Sequence, residues 1–240
     1  MYSILEAEPL DWGEGWDSFK LGRKGWPVVF AQVALNSHYK PSAPPLILDG
    51  IYGPESDRIG REVQAACHVK VDGVIGPATQ EAFVKAKCVH AQKNTTPPGL
   101  PAGLCAMESS YFWPCVSPQN PNKSYDVGVA QDSILPSEWT VARLTRAANP
   151  DAATHVLAHE VAAFHDGYVA LKLADRRAWE VAAMAHNWPW AADKLAHGDT
   201  ASLNKPFAFT TAKGYDTALD YCNHYIAQAC SQVTSWAVAT

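Results

Sequence analysis

The feature that most constrains the fold is a loop that occurs twice. Residues 49–56 read DGIYGPES and residues 72–79 read DGVIGPAT, near copies at a 23-residue interval. In each copy Asp-Gly makes a turn, and a β-branched residue is expected to point inward. Gly-Pro then opens a helix, with proline in the first turn where its missing N–H costs nothing. The pattern predicts helix, loop, helix, loop, helix, with the helices over 28–35, 56–66 and 78–85. One D-G-x-x-G would fit any small helical unit; two, each followed by a helix, define a module.

This stretch, residues 26–87, resembles the peptidoglycan-binding domain 1 family, a three-helix module appended to many cell-wall enzymes. The resemblance implies binding to bacterial peptidoglycan without chemistry of its own. The segment AQKNTTPPGLP that follows is polar and then proline-rich, as a linker is. The expected division is therefore a peptidoglycan-binding domain over 1–93, including an N-terminal extension, and a second domain over 94–240, with the boundary near Asn94.

The second domain opens on Leu100, Leu104, Met107 and Tyr111, apolar at spacings of three and four, which predicts a helix over 101–112 with one buried stripe. Glu108 interrupts this apolar stretch and would sit at the edge of the core, near the helix end. A carboxyl beside a buried stripe suits a general acid working near neutral pH. The alternative is a helix-end glutamate in a salt bridge.

The company that Glu108 keeps favours chemistry. Glu108-Ser109 is followed by SYDVGVAQ at 124–131, AMAHNWPW at 183–190 and YCNHYIAQ at 221–228. This ordered set resembles the soluble lytic transglycosylase, or goose-lysozyme, superfamily, whose patterns are a Glu-Ser, a Gly-Leu-Met-Gln-like turn, a Tyr-Asn and a late tyrosine. The resemblance implies Glu108 as the catalytic acid, with Ser109, Gly128, Gln131, Asn187 and Tyr225 as substrate-binding positions. Ala130 stands at the methionine position and His186 at the tyrosine position. With the N-terminal module, the resemblance implies a mainly α protein, a three-helix binding domain followed by an α-helical lysozyme-like domain, laid out as in phage endolysins.

For cutting a polysaccharide the residue types are apt. Glycoside cleavage passes through an oxocarbenium-like state and needs a proton on the leaving oxygen, which one glutamic acid can deliver. Gly128 would let backbone approach the sugar, and the amides of Gln131 and Asn187 can bond hydroxyl or N-acetyl groups. Tyr111, Trp113, Tyr125, Trp188 and Trp190 are candidates for packing on sugar faces, at least half of them being expected in the core. A second carboxylate decides the product. Asp132, close to an aspartate position of goose-type lysozymes, or Asp126 would activate water and make an inverting hydrolase. Without one, Glu108 acts first as acid and then as base on the sugar's own 6-hydroxyl, and the product is an anhydro sugar. The structural reading has Asp126 shaping a turn before Gly128 and Asp132 capping a helix after it, which favours the transglycosylase. The third possibility is a wall-binding or virion structural protein that has lost activity.

Composition narrows the partners. A net charge of −5 argues against nucleic acid, and no apolar run approaches the length of a membrane span. The first twenty residues are acidic where a secretory leader is basic and then apolar, so synthesis in the host cytoplasm is expected, with release by a holin or carriage in the virion. No cofactor is expected, and the chain is expected to act as a monomer. The six cysteines lack C-x-x-C spacing, and only Cys105 with Cys115 stays open as a disulfide. His155, His159 and Glu160 have metal-ligand spacing but in the order H-x-x-x-H-E, so the expectation is a solvated face of a helix over 151–174 and no metal.

Overall fold

The computed structural model describes residues 18–38, 44–92, 95–117 and 119–238. The expected boundary near Asn94 and most of the N-terminal extension lie outside the described residues. The fold is mainly α: among the described residues there are eleven α-helices and one two-stranded sheet. No helix among them is long and apolar enough to cross a membrane. By its contacts the chain forms two compact units, residues 1–88 with 108–154 and residues 89–107 with 155–240.

In the first unit the repeat folds as three helices, α1 (Trp26–Asn36), α2 (Pro54–Ala66) and α3 (Pro77–Ala91). Each loop is held by a buried glutamine from the helix before it. Gln32 of α1 donates to the Asp49 carboxylate (2.8 Å) and the Ile51 carbonyl (3.1 Å), and accepts from the Gly50 N–H (3.0 Å). Gln64 of α2 repeats this with Asp72 (2.9 Å), the Val74 carbonyl (3.0 Å) and the Gly73 N–H (2.9 Å). The inward residue is β-branched in the second loop, as expected, but is a tyrosine in the first. Ile51 is 39% exposed, whereas Tyr52 and Ile75 are fully buried. The cause is pairing with the segment before α1: Tyr52 donates its N–H to Arg23, and Ile75 exchanges two backbone bonds with Phe19.

α1 is apolar all round apart from Gln32 and the terminal Asn36, and every residue from Pro27 to Leu35 is buried. Its second face meets a hairpin, β1 (Tyr125–Val127) with β2 (Asp132–Ile134), and a helix, α5 (Val141–Ala148), once α4 (Leu100–Ser109) has intervened in sequence. Val29, Phe30 and Val33 share one core with Val116, Val127, Ile134, Leu144 and Ala147. Burial of such side chains is worth about 1.5–3 kcal/mol each, against a typical total stability of about 5–15 kcal/mol. The repeat and the hairpin are thus one folding unit in energetic terms. Asp126 and Asp132 lie opposite Ser133 and Val127 in the strands, not at a turn and a helix cap.

The second unit is built on α6 (Pro150–Ala170), which enters it at His155, and on α7 (Asp175–Asn187), α8 (Pro189–Ala196), α9 (Thr200–Leu203), α10 (Ala208–Ala212) and α11 (Ala218–Ala229). α6 stops short of residue 174 because Lys172 turns into the left-handed region and the chain closes back on the last carbonyls of the helix. Small side chains let the helices approach: Ala182, Ala183 and Ala185 of α7 are buried, and a Cβ on Gly103 of α4 would fall 1.8 Å from the Ala229 carbonyl of α11.

Candidate active site

α4 ends on Glu108 and Ser109, three residues earlier than its apolar spacing predicts. Ser110 and Tyr111 both take left-handed backbone (φ 51° and 65°), an uncommon state for a residue with a Cβ. This double turn still buries Tyr111, with the Lys85 ammonium 5.4 Å from its ring centroid. It leads into Trp113, which is wholly buried against Phe83 and donates its N–H to Gln80 Oε1 (3.0 Å). The end of α4 is pinned from the other side too. Ser109 is buried, and its hydroxyl donates to the Val129 carbonyl in the turn between β1 and β2 (2.9 Å).

That turn is Gly128-Val129-Ala130-Gln131, with left-handed residues at both ends (φ 76° and 53°) and both middle residues buried. Gly128 is needed twice over. Its φ favours glycine, and a Cβ there would lie 2.0 Å from the Ala147 carbonyl of α5. The close approach that the glycine permits is therefore to α5, where the sequence suggested a sugar. Gln131 serves the turn as well, donating from Nε2 to the Gly128 carbonyl (2.8 Å). Beside it lies Cys115, whose thiol is pushed up to about 11 by burial. A hydrogen bond with Gln131 opposes that rise, while the charges of Asp126 and Glu108 add to it. All six cysteines are thiols, so no disulfide joins Cys105 to Cys115.

The two aspartates differ. Both oxygens of Asp132 are held by the Arg143 guanidinium of α5, at 2.8 Å each, in a paired, fork-like contact. Asp126 accepts one bond, from the Asn120 amide (3.0 Å), and has no cation on it among the described residues. Tyr125 packs edge-on against Trp139 (5.3 Å).

The remaining expected positions lie in the second unit. Asn187, the last residue of α7, accepts a hydrogen bond on Oδ1 from the Tyr221 hydroxyl (2.8 Å). Tyr225 is 1% exposed, with its ring beside that of Tyr221. Tyr221 was legible as the other tyrosine of the same motif, one helical turn earlier. Trp188 makes ring contacts with Trp190, Phe207, Phe209 and Tyr221, and Trp190 and Phe209 are 41% and 45% exposed. His159 and Glu160 are on the solvated side of α6, and His186 places Nδ1 3.1 Å from the Glu160 carboxylate. His155 meets His90 edge-on at 5.1 Å.

No protein-family model matches the chain, and no curated protein matches its sequence.

Proposed function

We propose that the protein degrades peptidoglycan, cutting the glycan between N-acetylmuramic acid and N-acetylglucosamine as a lytic transglycosylase with Glu108 as its one catalytic carboxyl. The observation that carries the choice of route is the Asp132–Arg143 fork, which commits to the fold the aspartate that would otherwise position water. In the proposed reaction the Glu108 carboxyl gives its proton to the glycosidic oxygen as the bond to the muramic carbon breaks. The resulting carboxylate then takes the proton of the 6-hydroxyl as that oxygen closes on the same carbon, so no water is consumed. The pinning of Ser109 to the 128–131 turn supports the reading by fixing where the end of α4 points. In this proposal the repeat module holds the wall, the protein acts as an endolysin of phage type, and the exposed rings of Trp190 and Phe209 offer faces for sugars.

A second reading, an inverting hydrolase, rests on Asp126, which bears no cation among the described residues and whose charge, like that of Glu108, acts on the Cys115 thiol. Mass spectrometry of a digest of purified wall separates the two. Anhydro-muramic ends are expected; reducing ends would turn the assignment to Asp126 and water. Intact glycan after incubation would leave a wall-binding protein.

A further inference from the structure

The second unit contains a cavity of about 480 Å³ between α7, α11 and the segment after α11, whose lining includes none of the candidate site residues. Arg176, Arg177 and Glu180 of α7 line one side, Asn223 and Ile226 of α11 another, and Trp236 lines it as well. Glu180 lies between the two guanidinium groups, accepting from Arg176 Nε at 3.0 Å and from Arg177 at 3.1 Å. The Arg176 guanidinium also sits over the Trp236 ring at 5.1 Å. Each arginine thus spends one N–H on Glu180 and keeps the others for a visitor. Two cations and one anion leave a single net positive charge, which matches a monoanion better than a phosphate dianion. The indole and Ile226 require an apolar body beside that charge. The Cys230 thiol in the same wall is pushed up to about 12, first by burial, so the cavity offers binding and no thiolate chemistry.

We infer that this cavity is a binding site for the terminal carboxylate of a short peptide, with the carboxylate on the unspent arginine donors and the last side chain against Trp236. The natural source we assign, the D-alanine-ended stem peptide of peptidoglycan, rests on the wall-degrading reading; the carboxylate preference does not. The test is a titration of the full chain, followed by the NMR signals of the Trp236 indole and the Arg177 side chain. The probes are acetyl-D-alanyl-D-alanine, its C-terminal amide, the L,L acid and inorganic phosphate. Saturable binding of the D,D acid is expected, weakened about tenfold or more by amidation and by Arg177→Gln in a variant of unchanged circular dichroism. Equal binding of acid and amide, tighter binding of phosphate, or no saturation would overturn the site. A preference for the L,L acid would keep the carboxylate site and remove the wall as its source. No turnover enters the measurement, so it stands or falls independently of Glu108.

Discussion

In the repeat loops the glutamine that holds the turn comes from the preceding helix, whereas in the β1–β2 hairpin it is the turn's own last residue. Gln32 and Gln64 reach across sequence to bind backbone and an aspartate together. Gln131 reaches back three residues to a single carbonyl and also meets a thiol that feels Glu108 and Asp126. The first arrangement exhausts its polar groups on the fold. The second shows that residues of a catalytic pattern can be structural in part, so in the proposed function the burden of chemistry falls on Glu108.

The comparison breaks most visibly through Glu108→Gln. This variant should lower wall-clearing activity by about 10² to 10⁴ while leaving the melting temperature close to wild type, because a positioned general acid contributes that much in rate. Near wild-type clearing would put the hairpin in the same structural class as the loops. Gly128→Ala should come next, through stability: left-handed backbone and a Cβ driven into the Ala147 carbonyl together cost about 2–4 kcal/mol, read from urea unfolding. A cost under about 1 kcal/mol would mean that α5 moves away freely.

Between the loops themselves, Gln64→Ala should destabilise by about 1–3 kcal/mol and Gln32→Ala by less. Gln64 also accepts from the Asp72 N–H and donates toward Thr79, bonds that Gln32 lacks in the first loop. Equal unfolding midpoints for the two variants would show that these extra bonds add nothing. Asp132→Asn should lose less than tenfold in rate, within about 1.4 kcal/mol, as suits a residue paired with Arg143. A loss of orders of magnitude there would restore Asp132 as a water-positioning carboxylate.

The smallest effect concerns pH. The Asp72 carboxyl is held down at about 2, first by the Gln64 amide and then by the Val74 N–H. A value lowered in the folded state gives stabilisation that is complete above the ordinary carboxylate range, about pH 4, and is lost as pH falls through about 2. The melting-temperature gap between wild type and Asp72→Asn should therefore narrow across that window. A gap that stays constant would mean that the carboxylate charge is not what Gln64 holds.

Much of the first unit was legible because turns and caps are local. Asp-Gly and Gly-Pro located all three repeat helices, with Gly-Pro marking the starts of α2 and α3 closely, although α3 runs to Ala91. The hairpin was not legible. Strands of three residues are too short to show alternation, so Asp126 and Asp132 were read by residue type as turn and cap. Gln32 left a signal that went unused, a single amide inside VVFAQVAL, where an unpaired polar group would be costly. At the candidate site the end of α4 was placed within three residues, but the left-handed pair Ser110-Tyr111 that ends it has no glycine to announce it. Asn187 and Tyr221 both stand in the motifs, whereas the bond between them depends on helix rotation, which a list of motifs does not contain.

The burial of α1 against the hairpin and α5 bears on how the chain is made. Phe30 leaves the ribosome 114 residues ahead of Leu144, its neighbour in the core. At about 5–20 residues per second that is a wait of roughly 6–23 s. Throughout it, a helix apolar on nearly every side has only half of its partners. The nascent chain therefore passes through a stage in which the repeat is formed but sticky, and chaperone demand should peak before residue 148 is synthesised and fall after it.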